Sequence, residues 1–391
     1  MFSVSELAGG RSRGVFFAAS CVGRHSAASG HSNLKADNGM RSTHHDIMAS
    51  FATGAMLVLA LGVAGCADED DAVVDLRSGD DDDDDDDDDD LVEVDPGPYG
   101  LGENPVWNTT TNCVVFADIH QAKILEYCPA TEQTNVLFTG ILAFGLTIND
   151  DGALIVGTPG GLFYVASPTD IRPLATVDPV TNEPIFVNEQ VSVNGGVYFG
   201  DVDFDGTNFG PGNLYWIDAN GSTKRVASGR HLPNGLGVSP DHKQLYFAAS
   251  VDRKIYSFDI NASTGVLTNE KVFATLPASV GIFDGLTVDT HGDVYVAVWY
   301  GGQVRRYNKH GKLKEVIELP VLQPSNVTFG GPGSRDLYIT SASDPFVNAM
   351  APPGFNHAAP NLGGPLYRIT VHKAGLVDLQ SSIAAPPPVA P

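Results

Sequence analysis

Through most of the chain, apolar residues fall in short alternating runs. CVVFADI, ALIVGT, VYFGD, QLYFAAS, DVYVAVW and DLYITSA are examples, all but the first followed by a turn-forming Gly, Asn, Asp or Pro within a few residues. Alternation with a period of two buries one face of a strand, and β-branched and aromatic residues suit that state. No long segment carries apolar residues at helical spacing. The pattern therefore predicts an all-β body with frequent tight turns, and 43 glycines and 25 prolines supply them.

The runs recur as a degenerate repeat: a polar residue, a Gly-Leu or similar pair, a strand, a turn and a second strand. Copies open at 101–107, 144–148, 188, 233–238, 283–288 and 325–329, with a period of about 40–50 residues. That period suits a blade of four strands, and six copies predict a six-bladed β-propeller over 91–380. One blade cannot bury both of its faces alone, whereas a ring of blades can. LVEV at 91–94 precedes the first copy and is expected to add the outer strand of the last blade, closing the ring. Residues 344–363 interrupt the sixth copy as a long loop over one face, and 381–391 read as a disordered Ala/Pro-rich tail.

The N-terminal part reads differently. FATGAMLVLALGVAG at 51–65 is the one strongly apolar stretch, too short to span a bilayer at about 20 residues, and it runs into Cys66. Small residues before a cysteine resemble a bacterial lipobox, which implies cleavage before Cys66 and its lipidation. Signal peptides run about 15–30 residues, so residues 1–65 are a signal region whose translation is expected to start at Met40. Ala67 behind Cys66 implies, by the same resemblance, an outer-membrane rather than inner-membrane anchor in the envelope of a bacterium. Eleven consecutive aspartates at 80–90 supply much of the net charge of −24, and make 66–90 an extended acidic tether. The remainder is still acidic, which argues against nucleic acid as a partner.

Four segments go beyond a generic propeller: ENPVW with FADIHQAKILEYCPAT, LPNGLGVSPDHKQLYFA, GIFDGLTVDTHGDVYVAVWYGGQVRRYN, and QPSNVTFGGPGSRDLYITSA. Together they resemble the SMP-30/gluconolactonase/regucalcin-like family across roughly 95–375. The resemblance implies a propeller with one divalent metal at the mouth of the central channel, commonly used to hydrolyse sugar lactones.

Glu103, Asn234 and Asp284 occupy one slot in three copies, E-N-P-V-W, N-G-L-G-V and D-G-L-T-V. Equivalent slots of inner strands converge on one channel mouth, and three oxygen-bearing side chains there suit a hard cation. Read singly, Asn or Asp before Gly is a turn former. The resemblance places metal ligands at these three positions, with Ca²⁺ expected first and Mg²⁺, Mn²⁺ or Zn²⁺ as alternatives. The resemblance implies that Asn188 helps bind substrate or metal, and Asn326, which holds the repeat slot in blade six, is expected either to line the channel as a substrate contact or to be structural. The regucalcin-like arginine two places before Asn188 is replaced here by Phe186, which leaves sugar specificity open. Asp284 is expected to be both ligand and general base in metal-dependent hydrolysis of a lactone or similar cyclic ester. A non-catalytic ligand-binding propeller at the cell surface and a paraoxonase-like esterase are the alternatives.

Other chemistry is sparser. Asp201 to Gly206 imitates the start of an EF-hand loop but lacks Glu at the twelfth position, where Gly212 stands, so a solvated turn is expected. His120, His231 and His357 show no zinc-ligand spacing and read as surface or packing residues. Cys113 and Cys128 lie symmetrically about His120-Gln121. A two-residue hairpin centred there sets them opposite each other and within reach of a disulfide. Two reduced packing cysteines, or another turn register, are the alternatives.

Overall fold

The computed structural model describes residues 90–204, 208–346 and 349–388. The apolar run at 51–65, Cys66 and the aspartate run up to residue 89 lie outside the described residues. Among the described residues, twenty-five strands assemble into six antiparallel sheets. The inner strands are Gly102–Asn108, Gly145–Ile148, Val187–Val193, Pro233–Val238, Ile282–Val288 and Pro324–Gly330. Each lies between the inner strands of the preceding and following blades, so they line a closed central channel. The all-β, six-bladed propeller expected from the repeat is the observed architecture. Blade three departs from four strands by a short extra strand, Asp203–Phe204.

The apolar alternation does its packing between blades rather than at one centre. Ile155, Leu162, Phe199 and Tyr215 fill the seam between blades two and three, and Tyr246, Ile255, Phe283 and Val296 that between four and five. Trp107, Phe116 and Tyr338 join blade one to blade six, with Trp107 and Tyr338 stacked at 5.8 Å. Val92–Asp95 pairs antiparallel with Leu366–Thr370, so the N-terminal strand does complete the sixth blade. Residues from the two ends of the ring share one sheet, which removes two free edges.

Two expectations need correction. The hairpin between Cys113–Asp118 and Lys123–Cys128 turns through four residues, Ile119 to Ala122, and not two, with Ala122 N–H donating to Ile119 O. Its centre is unchanged, so the register from Asp118 opposite Lys123 to Val114 opposite Tyr127 still sets the cysteines opposite each other. They form a disulfide with Cα atoms 4.3 Å apart. The thiols stand beside Glu126, but the disulfide takes both and leaves no metal site there. The expected outcome of thiol labelling on unfolded, unreduced protein is no reaction at Cys113 or Cys128, and two equivalents after reductant. Because the bond closes a short loop of 15 residues, Cys113→Ser/Cys128→Ser should cost at most about 3 kcal/mol in stability.

The second correction concerns the C-terminal tail, which is laid across the lower end of the channel. Ser381 and Ile383 are buried, and hydrogen bonds continue as far as the carbonyl of Pro386, which accepts from Arg172. Alanine and proline do not leave residues 381–388 disordered, because the residues between them have partners on several blades; residues 389–391 lie outside the described residues.

Candidate functional site

In five of the six blades the inner strand slips register near its start. The shifts fall between Glu103 and Val106, Val187 and Glu189, Pro233 and Leu236, Phe283 and Leu286, and Pro324 and Asn326. A bulge opposes an extra residue to the partner strand and re-aims the side chains there. Glu103, Asn188, Asn234, Asp284 and Asn326 all stand at these slipped positions. Blade two pairs regularly from Gly145 to Ile148 and gives the cavity only Phe144.

Asn234 and Asp284 lie within strands, so the glycines that follow them are not turn formers. A Cβ at Gly235 would sit 2.4 Å from the Asp284 carbonyl oxygen, and one at Gly285 only 1.9 Å from Asn326 Cγ. The glycines let neighbouring inner strands approach closely enough to bring their first side chains together.

Those side chains form the floor of a cavity of about 110 Å³ at the upper channel mouth, which Glu103, Asn188, Glu189, Asn234 and Asp284 line. Asn326 bridges two of the carboxylates: its Nδ2 donates to Glu103 Oε2 at 3.3 Å and Glu189 Oε2 at 3.0 Å. Asn188 Nδ2 donates to the Pro233 carbonyl at 2.6 Å and to Asn234 Oδ1. Asn234 Nδ2 donates to Ser250 Oγ at 2.9 Å, and that hydroxyl donates onward to the Phe283 carbonyl at 2.7 Å. The two amides are thereby fixed in orientation. Asn326 proves to be a buried strut between carboxylates and does not line the cavity.

The floor is strongly acidic. Burial pushes the Glu103 carboxyl up to about 7, opposed by bonds from Asn104 N–H and Asn326. Burial, and then the neighbouring charge of Glu103, hold Glu189 well above the usual carboxylate range. Asp284 is raised in the same direction by burial, then by Glu103 and Glu189, and no described donor reaches its carboxylate. Three mutually repelling carboxylates in a desolvated floor favour either bound protons or a bound cation. The donors are oxygen only, which fits a hard divalent ion. The one lining histidine, His120, is paired through Nδ1 with Asp344 Oδ2 at 2.7 Å.

Glu189 was not singled out from the sequence, although it follows Asn188 directly. The slip between Val187 and Glu189 lets adjacent residues of one strand both serve the floor, and strict alternation would have sent one of them away. His231 pairs with Asp252 at 3.4 Å, while His357 packs against Tyr300 and Phe355, and neither lines the cavity. Asp201 is a tie within blade three, accepting from Asn213 N–H and from the Tyr215 hydroxyl at 3.0 Å; residues 205–207 of the EF-hand-like segment lie outside the described residues.

Comparison with known proteins gives this geometry a context. The chain is 28% identical over 284 residues to the pentonolactonase XacC of Haloferax volcanii, covering 72% of this chain and 95% of that protein. It is 27% identical to the regucalcin of Xenopus laevis, covering 63% and 84%. A solved structure of a luciferin-regenerating enzyme superposes with a TM-score of 0.66 at 24% identity, covering 74% of this chain and 97% of that one. The family model of the SMP-30/gluconolactonase/LRE-like region matches residues 101–343, which span five blades and the inner half of the sixth. The chain belongs to the SMP-30/gluconolactonase/LRE-like family.

Proposed function

We propose that the protein is a hydrolase of lactones or similar cyclic esters that works with one divalent cation. The observation that carries this reading is the convergence of Glu103, Glu189 and Asp284 with the amides of Asn188 and Asn234 on one cavity floor. The relative named a pentonolactonase, aligned over 95% of its length, supports the reaction class. Glu103, Asn234 and Asp284 would hold the cation. When bound, it neutralises the floor and supplies the positive charge that polarises an ester carbonyl.

The chain's own residues do the remaining work. Asp284 has carboxylate oxygens free of protein donors, so one of them can take the proton of an attacking water. Asn188, anchored through Nδ2, keeps Oδ1 without a protein donor and can orient a substrate hydroxyl or water. Asn326 spaces the two glutamates and screens part of their repulsion. The surrounding wall excludes bulk water from the ester.

Purified protein should take up one equivalent of divalent cation and hydrolyse simple lactones in its presence. Chelator should abolish the activity, and added cation restore it. Binding should weaken as pH falls through about 7, the value for Glu103, because protons then compete for raised carboxylates. No uptake from millimolar Ca²⁺, Mg²⁺, Mn²⁺ or Zn²⁺, or hydrolysis indifferent to chelator, would refute the reading.

A further inference from the structure

We infer that the lactone taken by this site carries an apolar substituent and few hydroxyl groups. The inference rests on the hydrolase reading above and adds the substrate class. Among the described lining residues, polar side chains stand on the floor and at the rim, and the wall between them is apolar except for the indole N–H of Trp299, which has no protein partner. The wall is built from Phe144, Phe186, Phe209, Leu232, Ile282 and Trp299, with Phe346 at the rim. Phe144 and Phe186 meet edge to face at 4.9 Å, Trp299 and Phe346 at 6.3 Å, and Phe209 tilts against Phe346 at 6.4 Å. The aromatic side chains brace one another in two groups, which Leu232 and Ile282 of the same hydrophobic cluster join into an apolar collar. Among the described residues no lysine or arginine lines the cavity, and the polar rim pair His120 and Asp344 bond to each other.

The collar decides between two kinds of lactone. Either kind can set its ester group on the polar floor, leaving its substituents against the wall. A hydroxyl buried there without a partner costs about tenfold or more in affinity. A polyhydroxylated ring presents several such groups, and the floor can satisfy only those nearest the ester. An alkyl or aryl substituent meets carbon instead. Each methylene buried against the wall should raise kcat/KM about fourfold until the cavity is filled.

The experiment compares γ-butyrolactone and its γ-alkyl series, up to γ-decalactone, with glucono-δ-lactone. It uses the cation-loaded protein and follows proton release. The expected result is a rise in kcat/KM with chain length, with gluconolactone at least about a hundredfold below the best alkyl lactone. Gluconolactone equal to or better than the alkyl lactones overturns the inference and leaves the hydrolase reading intact. If no lactone is hydrolysed, the hydrolase reading fails. The substrate-class inference is then decided by binding, read from quenching of tryptophan fluorescence, to which Trp299 in the wall contributes. Tighter binding of γ-decalactone than of gluconolactone upholds it, and equal or reversed affinity overturns it. Two variants check the wall itself. Phe346→Ala, on the rim loop, should flatten the chain-length dependence. Phe186→Arg should lower kcat/KM for the longest alkyl lactone at least tenfold while narrowing its margin over gluconolactone. Unchanged profiles in both folded variants would show that the collar does not select the substrate.

Discussion

Asp284→Asn should abolish turnover while leaving the ring folded, with kcat/KM falling about 10³-fold, within the range expected for loss of a positioned base. Asparagine keeps the size of the side chain and an oxygen for the cation, but it cannot take a proton. It also removes one of three repelling charges from the floor. The Asp284 carboxyl is held far above its usual range by burial and by Glu103 and Glu189, so ionised Asp284 destabilises the metal-free fold. The sign follows from linkage. A carboxyl raised in the folded state binds more protons there than in the unfolded chain, so stability falls as pH rises from the unfolded value of about 4 towards the folded one. At pH 8 the metal-free Asn variant should therefore melt no lower than the parent, and its advantage should vanish near pH 4. Glu103→Gln should act differently, mainly weakening cation affinity while added cation restores part of the rate. An Asp284→Asn protein that melts normally but retains full turnover would place the base elsewhere.

Much of this site was legible in the sequence because the repeat makes it so. The slot shared by Glu103, Asn234 and Asp284 is a statement about blades, and ring closure converts equal position in the blade into proximity in space. The closing strand at 91–94 is legible for the same reason, since a ring of blades needs its last blade completed from the other end of the chain, and the cysteine pairing is legible because it depends only on a local register about a known centre. Where local pattern stops governing contacts, the reading fell short. Glu189 is hidden because a bulge suspends alternation at that residue, and nothing in the run VNEQVSV marks the bulge. For Asn326 the repeat slot leaves substrate contact and structural role equally open, and its bonds make it a strut between glutamates. The apolar collar draws one or two residues from each of blades two to five and one from the loop interrupting blade six, so no window of sequence displays it. The order of the tail is hidden too, because composition says nothing of partners more than 200 residues away.

Removing the tail by a stop after Lys373 should cost the ring on the order of 5 kcal/mol and lower its melting temperature by about 10 °C or more. The tail touches the lower ends of most blades. Leu376 N–H donates to the Val288 carbonyl of blade five, and Gly375 N–H to Ser334 of blade six. Asp378 reaches into the channel, where its Oδ2 accepts from Trp107 N–H of blade one at 2.9 Å and Thr328 Oγ1 of blade six at 2.6 Å. Ser381 pairs with Ile148 and Asp150 of blade two, and Ser382 and Ala384 bond to turns of blade three at Gly195 and Ala219. Leu376 and Leu379 pack on the seam between blades three and four, and Ile383 on that between two and three. Each apolar side chain contributes about 1.5–3 kcal/mol when fully buried, the two leucines less because they are only partly covered. Truncation would also strip Asn149 of its partners in the tail, leaving its side chain only the bond to Asp151. That buried side chain accepts from Ser381 Oγ at 2.8 Å and Ile383 N–H at 2.9 Å, and donates to the Ile383 carbonyl at 3.1 Å. Asn149→Ala should reproduce about 2 kcal/mol of the loss by releasing the tail at this single point. Because Glu189 lines both the upper cavity and the chamber that Asp378 closes from below, opening that chamber admits water behind the floor. Truncated protein that remains folded should therefore also bind its cation more weakly. A truncated chain that melts and binds like the parent would show that the tail only rests on the ring.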